Sequence, residues 1–200
     1  MTYTDIIIPK ENEQTFIDIA RKLRIKSIIF LYEPKKINQE KIKELQEKNP
    51  DIKINTANHI TKNTNKPGMN FAKANIQTIE NKHITHIYDL ESLEEKDNHH
   101  YRRSGMNQAI AKKIKEQNKT IIISTEQIIT NKEPHKTIGR IQQNLELAKK
   151  YELNVAIASM ATKPENIRPE KETQALIKTL GHEHIAKNAI KEITKQLTKK

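Results

Sequence analysis

Two adjacent arginines in the middle of the chain are the residues best suited to hold an anion. The chain has six arginines against thirty lysines, a bias typical of A/T-rich codons, which leaves lysine wherever a point charge is enough. The arginines that remain are better candidates for a planar guanidinium, which holds phosphate or carboxylate in a bidentate geometry. Four of the six lie at or near the starts of predicted helices, namely Arg102, Arg103, Arg140 and Arg168.

The segment that follows Arg102 and Arg103 predicts an anion-binding surface. Ser104 is the expected N-cap of a helix that begins at Met106, and the first turn of a helix exposes unpaired amides and the positive end of its dipole. Polar and basic groups further along this helix extend the surface, namely Asn107, Lys112 and Lys113. Alternatively, the two arginines pair with carboxylates of the preceding loop, which offers Glu94, Glu95 and Asp97.

Two later segments carry similar groups. Arg140 and Asn144 are spaced i and i+4, so they share a helix face that is distinct from the apolar stripe. This spacing predicts either a polar contact face for RNA or a partner, or a solvated face. Arg168 precedes another helix and follows Lys163 in a proline-containing segment, where phosphate binding competes with capping and local salt bridges.

The polar residues near the strand ends do not form a recognisable catalytic set. A metal-dependent phosphohydrolase of barrel type commonly has His-x-His after the first strand, where this chain has Ile-Ile-Ile-Pro. His59, Asp89 and His100 could converge as ligands, but they come from scattered loops. The remaining pairs with ligand-like spacing are interpreted as surface residues: His83 with His86, and His182 with His184. With no nucleophile motif and no Gly-rich phosphate loop, we predict neither catalytic nor metal-binding residues.

The composition favours a nucleic-acid partner. The net charge of +11 points to a polyanion, with solvated lysines as the alternative. Three Phe, five Tyr and no Trp are too few for a base-stacking platform, so contacts should go to the phosphate backbone or to folded RNA shape. The absence of cysteine excludes disulfide and thiolate chemistry. No segment approaches the ~20 apolar residues of a membrane span and no signal peptide is recognisable, so we expect a cytoplasmic protein without a membrane partner.

Apolar runs alternate with amphipathic segments along the whole chain. Strands are predicted at 4–8, 26–31, 51–56, 71–74, 84–89, 119–124 and 154–159. Helices are predicted at 11–23, 38–48, 76–81, 106–118, 137–151, 170–180 and 185–197, with a polar loop at 59–70. This order predicts one α/β domain over residues 1–200 with parallel strands. We expect a TIM-barrel-like fold, a distorted or incomplete β/α barrel, with an open doubly wound sheet as the alternative.

Several short motifs, taken in order, resemble the archaeal and eukaryotic ribonuclease P protein component 3 family, the thirty-kilodalton subunit. The resemblance is good from about residue 84 to the end and looser before it, although Asp5 also fits. The motifs are Ile87-Tyr88-Asp89, Arg103-Ser104-Gly105-Met106-Asn107, Ile138-Gly139-Arg140-Ile141 with Asn144, Ala158-Ser159-Met160-Ala161, Ile167-Arg168-Pro169, and Leu180-Gly181 before a helix with Ala186 and Ala189.

The resemblance implies a TIM-barrel-like relative of metal-dependent phosphohydrolases that has lost its metal site. It implies a protein subunit of ribonuclease P, the endoribonuclease that removes the 5′ leader of precursor tRNA. In that particle the RNA cleaves with bound Mg²⁺, and this subunit pairs with component 2, generally as a heterotetramer, beside the other ribonuclease P proteins. Two other functions stay open: a barrel hydrolase acting on a phosphorylated small molecule, and a general basic RNA-binding protein.

Overall fold

The chain folds as alternating strands and helices. The computed structural model describes residues 3–62, 64–93, 97 and 103–198. The strands are β1 (Thr4–Ile7), β2 (Ser27–Tyr32), β3 (Lys53–Ile60), β4 (Asn70–Lys73), β5 (His86–Tyr88), β6 (Thr120–Ser124) and β7 (Asn154–Ala158). The helices are α1 (Glu13–Lys22), α2 (Gln39–Lys48), α3 (Ile76–Glu80), α4 (Gln108–Glu116), α5 (Thr125–Thr130), α6 (Pro134–Lys150), α7 (Glu170–Thr179) and α8 (Glu183–Thr198).

The seven strands form one parallel sheet that closes on itself. Their order in the sheet follows their order in the chain, from β1 to β7. The two outer strands meet where Ile7 bridges Ala161, and the Ile8 amide donates to the Ala161 carbonyl at 2.9 Å. The prediction of a TIM-barrel-like fold is therefore confirmed. The open doubly wound sheet is wrong, because such a sheet would leave its first and last strands apart.

A buried carboxylate joins the two strands at this closure. The Asp5 carboxylate is fully buried and accepts hydrogen bonds from the Ser159 amide at 2.6 Å and from the Ser159 hydroxyl at 2.7 Å. The Tyr3 hydroxyl donates to the same carboxylate at 2.8 Å. Burial raises the pKa of Asp5, although these donors oppose the shift. Seven strands thus close through one short bridge and a polar clasp, and the described residues contain no eighth strand.

Apolar side chains fill the barrel and also cover its outside. One buried cluster occupies the lumen: Ile6, Ile29, Leu31, Ala57, Phe71, Tyr88, Ile122, Ala156, Ala158 and Met160. A second cluster lies between the sheet and the helices, where Phe16 and Ile141 are fully buried. Because neighbouring strand residues face opposite sides, Ile6 packs in the lumen while Ile7 packs against the helices.

Helix α8 closes the amino-terminal end of the barrel. Its Ile193 joins the lumen cluster, and Gln196 hydrogen-bonds to His86 at 2.6 Å and to Thr120 at 2.9 Å, at the first residues of β5 and β6. Thr194 lies 2.7 Å from the hydroxyl of Thr4, the first residue of β1. None of the described helices is long and apolar enough to cross a bilayer.

Several predicted boundaries need correction. Helix α5 was not predicted, because its six residues directly follow β6 without a loop. Strand β3 runs on to Ile60, so His59, predicted to lie in a polar loop, is a strand residue. Helix α6 begins three residues before the predicted position, with Pro134 in its first turn.

Candidate nucleic-acid interface and the barrel mouth

The start of α4 has a different cap from the predicted one. Asn107 is the N-cap, and its side-chain oxygen accepts from the Ile110 amide at 2.9 Å. Ser104 is buried instead, and its hydroxyl lies 3.3 Å from the Met106 carbonyl. Gly105 has a φ of 80° and packs so tightly on the Leu90 carbonyl that a side chain there would clash with the backbone. The segment before α4 is therefore held against the barrel, and this fixes the backbone position of Arg103.

Arg140 helps to hold this segment in place and does not lie on an exposed face. Its guanidinium is 8% exposed and reaches Asp97 with Nε at 3.0 Å and Nη2 at 2.8 Å. Its Nη1 donates to the Glu91 carbonyl at 2.9 Å, and the Arg103 amide donates to the same Asp97 oxygen at 2.9 Å. Burial opposes ionisation of Asp97, but these two donors outweigh it and hold its pKa below the usual range. The alternative of a solvated face at Arg140 is therefore wrong, and an RNA contact of Arg140 stays a prediction.

Asn144 is buried in the same network. It is 2% exposed, and its amide donates to the Ser104 carbonyl at 2.8 Å. The i, i+4 spacing of Arg140 and Asn144 thus does place them on one face, but that face packs on the loop between β5 and α4. Asp97 binds the backbone amide of Arg103, which is not the guanidinium pairing of the alternative, so that alternative stays open. Arg102, Glu94 and Glu95 lie outside the described residues.

The other candidate residues are more accessible. Arg103, Asn107, Lys112, Lys113 and Lys163 are exposed, and Lys112 and Lys113 lie on the outer face of α4. Arg168 is half-buried, because its Nη1 donates to the carbonyls of Glu165 and Ile167 at 2.8 Å each. It therefore caps a single turn of 3-10 helix (Pro164–Asn166). Lys163 and Arg168 follow β7, two strands along the sheet from β5, so the candidates form two groups at the carboxyl-terminal side of the barrel.

Polar side chains at the carboxyl ends of β3, β4 and β5 pair with one another. The His59 ring lies 2.7 Å from the Tyr88 hydroxyl, and Lys73 lies 3.6 Å from the Asp89 carboxylate. Asp89 has a φ of 57°, which turns the chain sharply after β5. Burial raises the pKa of Asp89 and lowers that of His59, so both groups are biased towards their neutral forms.

Glu91 is the most perturbed carboxylate at this end. It is 3% exposed, and burial together with the charge of Asp89 raises its pKa to about 8. Within the described part of the chain, its Oε1 has no hydrogen-bond partner. We interpret Glu91 as a buried acid next to the hydrogen-bonded network of Arg140 and Asp97.

The described residues at this end do not fit a catalytic metal. No group of three His, Asp or Glu side chains among residues 3–62, 64–93, 97 and 103–198 could hold an ion, and His100 lies outside those ranges. The histidine pairs differ from the prediction of surface residues. His86 and His182 are both buried, whereas His83 is half-buried and His184 is exposed. His86 stacks on Phe71 with 4.2 Å between ring centroids and supports α8.

Comparisons with known proteins place the chain by fold. No protein-family model and no curated protein sequence matches it. Its fold is similar to a chain in the cryo-EM structure of archaeal ribonuclease P with mature tRNA, with a TM-score of 0.76 and 16% identity over 96% of this chain and 88% of that chain. It is also similar to histidinol phosphate phosphatase from Lactococcus lactis, complexed with zinc, L-histidinol and phosphate, with a TM-score of 0.63 and 12% identity over 90% and 94% of the two chains.

Three features of the site were missed by sequence reasoning. The Asp97–Arg140 pair joins residues 43 positions apart, and the Asp5–Ser159 clasp joins residues 154 positions apart. Residues so far apart in sequence leave no local pattern from which either contact could be predicted. The burial of Arg140 had one available signal, since Gly139 and Ile141 flank it and both are buried. A single arginine within an apolar helix stretch more often has a fixed partner than a free guanidinium.

Proposed function

We propose that this chain is a protein subunit of ribonuclease P, the ribonucleoprotein that removes the 5′ leader of precursor tRNA. The observation that carries the proposal is the likeness of its seven-stranded barrel to a chain of archaeal ribonuclease P over nearly the whole of both chains. The net charge of +11 fits an RNA partner. The absence of a three-ligand metal group in the described residues fits a barrel that does not itself cleave.

The finer assignment is to component 3, acting with component 2 as a heterotetramer on the catalytic RNA. It is supported by the way the resembling motifs come together in space. Arg103, Ser104, Arg140 and Asn144 come from two motifs distant in sequence, yet they form one hydrogen-bonded network. In this proposal Mg²⁺ belongs to the RNA, which performs the cleavage on precursor tRNA, and the chain binds and supports that RNA beside the other protein subunits.

The candidate RNA contacts divide into two roles. The exposed groups of Arg103, Asn107, Lys112 and Lys113 would meet phosphate, with Arg102, Lys163 and Arg168 as further candidates. Arg140 and Asn144 act as positioning residues, because they hold Asp97 and the Ser104 carbonyl, which fix the segment that presents Arg103. Replacing Arg140 or Asn144 would change RNA binding only by displacing the segment that presents Arg103.

A metal-dependent phosphohydrolase is the second candidate, favoured by the likeness to the zinc-containing histidinol phosphate phosphatase. That chemistry needs several convergent ligands and an open position for water. At the mouth of this barrel Lys73 pairs with Asp89 and Tyr88 with His59, so these side chains have partners other than a metal. Tight zinc binding by the purified chain with phosphatase activity would favour the hydrolase.

The test is which RNA co-purifies with the chain from its own cells. A tagged chain should recover ribonuclease P RNA far above its share of total RNA, together with component 2. The control is a variant in which Arg102, Arg103, Lys112 and Lys113 are changed to Ala, which should recover less of that RNA. Recovery of many unrelated RNAs in proportion to their abundance would instead identify a general RNA-binding protein.

A further inference from the structure

A basic surface lies at the amino-terminal end of the barrel, on the side opposite the mouth. It is formed where α1 and α2 end and where β2 and β3 begin. The exposed side chains that define it, called here the amino-terminal rim patch, are Lys22, Arg24, Lys26, Lys48 and Lys53. Within the part of the chain that the structure describes, none of the five forms an ion pair.

The patch is continuous because the α1–β2 unit and the α2–β3 unit contact each other at this end of the barrel. The Lys53 amide donates to the Lys26 carbonyl at 2.8 Å, so these two lysines start from adjacent backbone positions. Arg21, in the last turn of α1, reaches across to Asp51, with Nε at 2.8 Å from Oδ2. Asp51 lies between Lys48 and Lys53 in sequence, so this contact fixes the end of α1 beside the end of α2.

The nearby acids do not neutralise the patch. Both Asp18 and Asp51 pair with Arg21, and the Arg21 guanidinium lowers the pKa of Asp51. Glu47 is the remaining acid in these two segments, residues 18–26 and 47–53, which hold six basic and three acidic residues. The carboxyl-terminal side of the same units, residues 9–13 and 33–41, holds four of each. The positive surplus of these units therefore lies at one end of the barrel.

The helix dipole does not account for this arrangement. A lysine in the last turn of a helix is favoured by the negative end of the dipole, which is sufficient reason for Lys22 and Lys48. Arg24, Lys26 and Lys53 lie beyond the helix ends, so that reason does not extend to them. The dipole therefore explains two of the five cations and leaves three.

Arg24 holds a position that usually belongs to glycine. Its φ is 59°, and it follows the end of α1 in a motif where the Ile25 amide bonds to the Ala20 carbonyl at 2.9 Å. Helices commonly end this way with glycine, because a side chain is strained in the left-handed region. Helix α6 ends in the same motif with Glu152, whose φ is 50°, so the two sites differ mainly in the charge they present.

We propose that the amino-terminal rim patch binds the phosphate backbone of folded RNA, as a second contact separate from the candidates at the carboxyl-terminal side. This inference rests on the proposed function, since it names a further surface by which the subunit meets its RNA. Five cationic side chains that form no ion pair with the described residues can replace condensed counterions along a helical backbone. The patch lacks an aromatic side chain, so it reads charge and shape rather than base sequence.

A matched pair of glycine substitutions separates charge from fold. Arg24→Gly removes a cation and relieves the strained backbone, so its melting temperature should equal or exceed that of the unsubstituted chain while its affinity for ribonuclease P RNA falls severalfold. Glu152→Gly makes the same backbone change and removes an anion, so RNA affinity should hold or rise. Unchanged affinity in Arg24→Gly, or an equal loss in both variants, would overturn the assignment.

The salt dependence of binding tests the patch as a whole. Changing Lys22, Lys48 and Lys53 to Gln should make the slope of log K against log salt shallower by on the order of 0.9 for each lost contact. The control changes Lys10, Lys35 and Lys36 to Gln on the carboxyl-terminal side and should leave the slope nearly unchanged. If the unsubstituted chain binds ribonuclease P RNA but only the control variant alters the slope, the patch is refuted and the proposed function stands. If the unsubstituted chain does not bind that RNA, the proposed function itself fails.

Discussion

Single charged residues in this barrel have different roles according to burial. Arg140 is almost fully buried and fixed by Asp97, whereas Arg168 is half-buried and caps two carbonyls. Arg140 forms a charge-assisted contact, but its Nε and Nη2 both reach one oxygen of Asp97, and this carboxylate belongs to the same chain. Residue type predicted an ion pair and predicted neither its partner nor this single-oxygen geometry.

Replacing Arg140 with Ala should destabilise the fold more than the same change at Arg168. The first change leaves the buried Glu91 carbonyl without its side-chain donor and leaves Asp97 with only the Arg103 amide, at a cost of about 2–4 kcal/mol. The second removes bonds to part-exposed carbonyls and should cost under about 1 kcal/mol. Chemical denaturation of both variants measures the difference. Equal and small losses would contradict the assigned support role of Arg140.

Glu91 should make stability depend on pH. Its pKa is about 8 in the folded chain and about 4.3 when unfolded, so between those values the folded state holds the extra proton. Stability therefore falls as pH rises through this window and levels off above it. Glu91→Gln has no proton to lose, so its advantage over the unsubstituted chain should grow from pH 5 to pH 8, by up to about 1.4 kcal/mol per unit.

Denaturation series at several pH values give this comparison directly. Glu116→Gln, at an exposed position on α4, is the matched control in which neutralising the carboxylate relieves no buried charge. An advantage of Glu91→Gln that stays constant from pH 5 to pH 8 would show that Glu91 is ionised throughout.

Arg102 and Arg103 should affect RNA assembly and not stability. Changing both to Ala removes two cations, of which Arg103 is exposed, and exposed arginines contribute little to folding. The matching Lys variant should recover only part of the RNA binding, because lysine supplies charge without the planar fork. RNA affinity and melting temperature are measured on both variants. If the arginines instead pair with local carboxylates, the variants should lose a little stability and bind RNA as before.

At the scale of elements, periodicity predicted every strand and most helices but not how the barrel closes. The continuous apolar runs at β1, β2 and β6 and the amphipathic pattern of α4 and α6 are local signals, so their elements were found. Helix α5 gave no separate signal, because it has six residues and adjoins β6. The closure depends on Asp5 and Ser159 meeting across the sheet, which no local pattern records.

Substitutions at Asp5 and at Ser159 should lower the stability of the fold by different amounts. Asp5→Asn replaces one acceptor oxygen by a donor that faces donors, so it should cost at least about 2 kcal/mol. Ser159→Ala keeps the backbone amide bond and removes only the hydroxyl, so about 1 kcal/mol is expected. Hydrogen exchange should show β1 opening first in Asp5→Asn. Loss of protection spread evenly over the barrel would argue against a local seam.

At the scale of the whole molecule, charge and chemistry occupy different ends of the barrel. The lumen is filled with apolar side chains and the mouth holds the His59–Tyr88 and Lys73–Asp89 pairs, while the five cations of the amino-terminal rim patch form no ion pair with the described residues. Composition predicts a polyanionic partner, and the fold places the surplus charge of the α1 and α2 units at the amino-terminal end of the barrel.

The central claim, that this chain is a ribonuclease P subunit without its own active site, is tested most directly by reconstituted cleavage of precursor tRNA. Ribonuclease P RNA and component 2 are incubated with and without the purified chain over a magnesium titration, and release of the 5′ leader is measured. We expect the chain to lower the magnesium needed for cleavage and to release no leader when the RNA is omitted. Leader release by the chain alone, with contaminating RNA excluded, or no effect of the chain at any magnesium concentration, would contradict the claim.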